Sequence, residues 1–173
     1  MTDVLFVDES DNVIGFGSRK EALAKGIIHR IVRVVLFNEK GQILLQKRAM
    51  HLPSNPSKWD LSVAGYVDRG ENYLEAALRE MNEELGLAGI TLTKIGTYYS
   101  EEPFKNRTRK RFTTLYRGFY DGEVIPNPDE VSEVQWTFSD ELQKRMLEVS
   151  DEFTFGSKVA FKHLPATQSS TEF

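Results

Sequence analysis

Apolar and polar positions divide the chain into segments of two periods. In VLFVDESDNVIGF apolar residues flank the turn-forming cluster Asp8 to Asn12, the pattern of an edge hairpin. Ser18 then offers a helix N-cap with Glu21 three residues on, and Gly26 closes what reads as a short helix over 18–25. The runs IVRVVLF (31–37) and QILLQKR (42–48), joined by a polar turn, predict two adjacent central strands. Residues 49–58 hold Pro53, Pro56, Asn55 and two serines without an apolar period and read as a loop, after which Trp59 opens a strand to about Val63.

The clearest helical period covers 72–85, where Leu74, Ala77, Leu78, Met81 and Leu85 recur at three- and four-residue steps and Gly86 ends the run. Strands are expected around 90–99, 112–120 and 133–138, with a helix capped by Ser139 and Asp140 running to about 148 and another near 157–163. There is no internal repeat and no low-complexity linker. Strands alternating with helices therefore predict α/β or α+β packing, with helices covering a mixed sheet. A chain of 173 residues suits one core. We divide it into an N-terminal hairpin and short helix (1–28) packed on the core, a main domain (29–164) and a polar, frayed tail (165–173).

Composition narrows the function classes. No apolar run approaches the roughly 18 residues that span a bilayer, and the acidic start MTDVLFVDESD is unlike a secretory leader. These features predict a cytoplasmic protein with no membrane partner. The absence of cysteine excludes disulfides, thiolate metal sites and cysteine nucleophiles. A net charge of −4 argues against nucleic acid as a partner, although Lys105, Arg107, Arg109, Lys110 and Arg111 form a local basic run.

On the 72–85 helix, Glu80, Glu83 and Glu84 stand at i, i+3 and i+4, so their carboxylates share a face. A solvated acidic face is the commoner outcome of such a run. Three anions in that space also call for a compensating cation, and fixed carboxylate oxygens suit a hard divalent ion such as Mg²⁺, or Mn²⁺. Upstream, Gly65 allows close backbone approach and Gly70 allows a turn before Glu71.

The segment GYVDRGENYLEAALREMNEELGL resembles the Nudix box, G-x5-E-x7-R-E-U-x-E-E-x-G-U with U a bulky aliphatic residue. Gly65, Glu71, Arg79, Glu80, Met81, Glu83, Glu84, Gly86 and Leu87 fill its defined positions. The resemblance implies an α/β/α sandwich of the Nudix fold that cleaves a diphosphate linkage in a nucleoside diphosphate derivative. It makes Glu80, Glu83, Glu84 and the Gly65 carbonyl metal ligands, and gives Arg79 and Glu71 the role of orienting them. The catalytic base varies within the family: Glu84 is the candidate inside the box, and Glu130, Glu101 and Glu102 are the later ones.

The N-terminal part is similar to the branch of type I isopentenyl diphosphate isomerase. That enzyme uses a cysteine just before the glycine of a degenerate box and a metal-binding histidine just after it. Here those positions hold Ala64 and Tyr66, so hydrolysis is the preferred reading, with an isomerase-like protein or a non-catalytic nucleotide-binding module as alternatives. His29, which matches an isomerase histidine, reads as structural. Arg33 and Arg48 lie on strands leading to the site and are candidates to touch phosphates. Arg107 and Arg109, in KNRTRKR, are candidates to hold them from a lid. A homodimer is left open.

Overall fold

The computed structural model describes residues 3–165. The N-terminal hairpin joins β1 (Val4–Val7) to β2 (Val13–Gly17), and the Asp8 carboxylate holds the turn by accepting the Ser10 and Asn12 backbone N–H groups at 2.9 Å. Ser18 caps α1 (Arg19–Lys25), its hydroxyl accepting from Glu21 N at 3.1 Å, and Gly26 ends the helix at φ 65°. β1 also pairs with the start of β3 (Ile28–Phe37) through Phe6 and His29, which ties the N-terminal segment to the main sheet.

β3 and β4 (Ile43–Arg48) are expected side by side, yet they pair only where the turn joins them, at Phe37 and Ile43. The reason is a ribbon inserted between them. Its first part, β5 (Trp59–Leu61), pairs with β4; its second, β6 (Val63–Tyr66), pairs with β3. Ser62 sits at the crossover. Its hydroxyl accepts from Leu36 N at 2.8 Å and donates to Leu44 O at 2.7 Å, satisfying buried backbone groups that the splayed strands leave without each other. On its far edge β3 runs parallel to β8 (Arg107–Phe119), with β7 (Thr93–Phe104) antiparallel outside it, and β9 (Val131–Thr137) closes the far edge of β4.

β3 is apolar almost throughout because both of its faces are covered. Val32, Val34 and Leu36 join Leu44 and Val63 beneath α2 (Tyr73–Leu85), which contributes Ala76, Ala77, Met81 and Leu85. On the other face Val35, Ile43, Leu45, Leu61 and Leu115 pack with Leu142 of α3 (Ser139–Glu148) and Ala160 of α4 (Phe155–Lys162). The result is an open mixed sheet between helices, the α+β sandwich expected. No helix among the described residues is long and apolar enough to cross a membrane.

Three local expectations are corrected. Leu74 and Leu78 remain 41% and 38% exposed, and the face that α2 buries runs through Ala76, Ala77, Glu80, Met81, Glu84 and Leu85. Small alanines at the front of that face let the helix sit close to the sheet and carry two glutamates inward. The basic run is not a free lid: 107–111 belong to β8, where register opposes Glu102 to Arg109 and Glu101 to Lys110, favourable cross-strand charge pairs. The N-cap of α3 is Phe138, without a side-chain cap bond, because Asp140 lies inside the helix and accepts from Glu141 N. The tail expected over 165–173 falls, beyond Pro165, outside the described residues.

Candidate metal and active site

The site occupies the opening between the splayed β3 and β4. A capping box fixes the start of α2: the Asn72 side chain accepts from Leu74 N at 2.9 Å and Glu75 N at 3.0 Å, and Glu75 accepts from Asn72 N at 2.8 Å. The helix thereby becomes a rigid carrier for the glutamates of its last turns. Glu84 is buried against the ribbon, its Oε2 accepting from Gln46 Nε2 at 2.8 Å and from Ala64 N at 3.2 Å. Glu80 packs directly over Gly65, where an added Cβ would overlap its carboxyl group. Glu130 arrives from the turn before β9. That turn is tied to the end of α2 by Asn127 N donating to Glu84 O at 2.9 Å, and to the end of β4 by Ala49 N donating to Glu130 O at 2.9 Å.

Carboxylate oxygens of Glu80, Glu84 and Glu130 thus lie within 4.8 Å of one another, the first two buried and the third half-buried. Glu83 stands apart, its side chain 48% exposed and 3.1 Å from Arg79 Nη1. Arg79 is the hub of the surrounding network. Its Nε and Nη2 bind Glu71 at 2.6 and 2.9 Å, Nη2 also donates to the Tyr66 carbonyl at 2.9 Å, and Nη1 lies 2.9 Å from Glu80. One planar guanidinium therefore contacts three box glutamates, Glu71, Glu80 and Glu83, and the strand that follows Gly65. Hydrogen bonding to Arg79 holds Glu71 below the ordinary carboxylate range.

The electrostatics of the cluster run the other way. Burial pushes Glu80 up to about 7, with Arg79 opposing and Glu83 and Glu130 reinforcing the rise. Burial, with Glu80 nearby, raises Glu84 well above its ordinary value. Both carboxyls are then easier to fold protonated than charged, so for Glu80 the stability from this source is full at low pH and is lost as pH rises from the ordinary carboxylate range through about 7, and Glu84 acts in the same direction. Buried His29, held down to about 4, acts with the opposite sign, adding stability as pH rises from about 4 to its ordinary range, and so offsets part of the fall from the two carboxyls. We expect the melting temperature in EDTA to fall between about pH 5 and 7.5, and that fall to shrink in Glu80→Gln. Added Mg²⁺ should stabilise most at the alkaline end, because ligation displaces protons. Thermal unfolding across that pH range, with and without Mg²⁺, checks all three.

The other expected residues lie outside the carboxylate cluster. Arg48 donates to Ser54 O at 3.1 Å, Arg107 to Ala24 O at 2.6 Å, and Arg109 to Ser54 Oγ at 3.1 Å. Arg33 is a buried core residue on the α4 side of β3, ion-paired with Asp60 and pressed against Gly156, which corrects the expectation that it is free to meet a phosphate. Glu101 accepts from Tyr99 OH at 2.6 Å, and Glu102 pairs with Arg111, so neither joins the cluster. Sequence reading missed Gln46, which holds Glu84. The signal was present: strand alternation places it on the same face as Leu44, a polar residue at a core position.

Residues 27–155 match the family model of the NUDIX domain, and the chain belongs to the Nudix hydrolase family. An uncharacterised Nudix hydrolase of Yersinia pestis is 36% identical over 148 residues, covering 86% of this chain and 77% of the relative. An isopentenyl-diphosphate Delta-isomerase of Pectobacterium atrosepticum is 31% identical over 165 residues, covering 95% and 92%. The crystal structure of DR0079 from Deinococcus radiodurans superposes with a TM-score of 0.77 at 25% identity, covering 94% of this chain and 99% of that one.

Proposed function

We propose that the protein hydrolyses a diphosphate linkage in a nucleoside diphosphate derivative, using Mg²⁺ or Mn²⁺. The observation that carries this is the convergence of Glu80, Glu84 and Glu130 beside Gly65. Two buried carboxylates and a half-buried one this close, with Arg79 the one guanidinium paired with them among the described residues, form an all-oxygen donor set that fits a hard divalent cation. Glu80, Glu84, Glu130 and the Gly65 carbonyl would hold it, with Glu83 a further donor on the solvent side. Bound there, the ion supplies neutralising charge for diphosphate oxygens and a more acidic water.

The chain's own residues do the rest. Arg79, anchored by Glu71, holds Glu80 in the cluster and pairs with the more exposed Glu83. Gln46 and Ala64 N leave one Glu84 oxygen for ligation while occupying the other. Glu130 is half-buried and borders solvent. We assign to it the proton of the attacking water, which it can release outward; Glu84 is committed to the buried end of the cluster.

A relative named as an isomerase spans nearly the whole chain, and isomerisation is the second reading. Against it, no thiol exists anywhere in the sequence, and Ala64 stands where the isomerases carry their cysteine. The deciding experiment is a panel of diphosphate compounds, isopentenyl diphosphate among them, incubated with Mg²⁺ or Mn²⁺ and scored by released phosphate and by product mass. Mass-balanced hydrolysis that EDTA abolishes is expected. Conversion of isopentenyl diphosphate to an isomer of unchanged mass, with no hydrolysis of any compound, would overturn the proposal.

A further inference from the structure

A cavity of about 230 Å³ opens between α1, the end of β6 and the first part of β8, lined by Arg19, Lys20, Leu23, His29, Tyr66 and Arg109. It begins one residue beyond Gly65. Because side chains alternate along a strand, Tyr66 faces it while Gly65 faces Glu80 on the other side. Arg111 adjoins it, standing beside His29 in the parallel pairing of β3 and β8. Arg111 is buried and paired with Glu102, yet its Nε has no hydrogen-bond partner.

Charge in this region does not balance. Among the described residues, Arg19, Lys20, Arg33, Arg109 and Arg111 meet two carboxylates here, Asp60 paired with Arg33 and Glu102 shared by Arg109 and Arg111. Arg109 and Arg111, both largely buried, share the single Glu102 carboxylate, which leaves one enclosed positive charge uncompensated, and an anion relieves it; Arg19 and Lys20, exposed at the mouth, add to the same field. His29 adds no charge of its own: burial and the charges of Arg111, Arg109 and Arg19 hold it down to about 4. The arginines are also oriented in advance. Arg19 lies 3.8 Å over the Tyr66 ring and Arg109 3.3 Å over the Phe104 ring, so aromatic faces fix the guanidinium planes; Arg109 also reaches Ser54 Oγ at 3.1 Å and Glu102 at 3.5 Å, while the Arg19 N–H edges make no hydrogen bond among the described residues.

We propose that this cavity is a phosphate subsite, and that the substrate accordingly ends in a free terminal phosphate. The inference rests on the hydrolase reading for its second half only. The volume is below the roughly 300–1,000 Å³ of clefts that enclose whole ligands, so it suits a charged group and not a nucleoside. The uncompensated guanidinium charge, together with Arg19 and Lys20 at the mouth, matches a terminal phosphate, which carries about −1.5 to −2 at neutral pH, better than the single charge of a phosphate capped at both ends.

Calorimetry with inorganic pyrophosphate in EDTA tests the subsite without any turnover. Wild type should bind. Arg19→Gln and Arg109→Gln should each weaken binding by about tenfold or more, as for loss of a charge-assisted hydrogen bond. Lys110→Gln, which removes the same charge from the other face of β8, should bind like wild type. Steady-state kinetics with Mg²⁺ then separates substrate classes. In the two arginine variants KM should rise for nucleoside di- and triphosphates at nearly unchanged kcat, and stay put for diphosphates capped at both ends. Equal pyrophosphate binding in wild type and both variants would overturn the subsite, and equal KM changes in both classes would overturn the terminal-phosphate assignment. Weakened pyrophosphate binding in a protein that hydrolyses no diphosphate would support the subsite and sink the hydrolase reading instead.

Discussion

Replacing Glu84 by Gln should abolish turnover and raise the melting temperature of the metal-free protein, two effects of opposite sign from one side chain. The carboxylate is fully enclosed, next to Glu80, and burial pushes it strongly toward the protonated form. Folding without metal therefore either takes up a proton at neutral pH or keeps two anions together. A glutamine has the same shape, carries no charge, still accepts from Gln46 and Ala64 N, and offers an amide N–H to Glu80. We expect a gain of a few degrees in EDTA at pH 7.5 and little further gain on adding Mg²⁺, where wild type should gain more. Turnover should fall on the order of 10³-fold, about 4 kcal/mol of transition-state stabilisation, because a neutral amide is a poor ligand for a hard dication. A variant that lost activity and stability together would mean that Glu84 serves the fold; one that kept activity would remove it from the metal site.

That coupling of cost and use also explains what the sequence could and could not disclose. The acidic triplet in α2 and its glycine neighbours are readable because helix period fixes which side chains share a face. Which of the three turns inward depends on the rotation of the helix over the sheet, and the exposed Leu74 and Leu78 show that an apolar stripe alone mispredicts it. Glu130 was one of several later acids. It enters the cluster only because β9 pairs with β4 and anchors the preceding turn at Ala49, a long-range pairing that periodicity does not encode. The separation of β3 from β4 was likewise hidden, since it is set by a ribbon whose hydrogen-bonding partners change at Ser62. Arg33 reads as a polar residue in a strand and therefore as a ligand, whereas its partner Asp60 is 27 residues away in the chain.

Gly65→Ala is the sharpest test of the backbone's part in the site. Gly65 stands opposite Val32 in β3, so the fold needs no unusual conformation there, and its φ is not among the positive values found at other glycines. Glycine is required for space alone: a Cβ would overlap the carboxyl end of Glu80. That end is flexible. Alanine is therefore accommodated by swinging Glu80 out rather than by distorting the sheet, and the cost in stability should be small, even offset in EDTA by separating Glu80 from Glu84. The swing also breaks the 2.9 Å contact with Arg79 Nη1 and disperses the cluster. Mg²⁺ affinity should fall by about 10–100-fold, the range for disturbing the groups that orient metal ligands, and kcat/KM at subsaturating metal should fall at least as far. Excess Mg²⁺ should restore part of the activity, because the ligands are displaced and not deleted, whereas Glu84→Gln should gain nothing from it. An unfolded Gly65→Ala protein would assign the glycine to the sheet, and wild-type metal dependence would show that Glu80 does not need its place over Gly65.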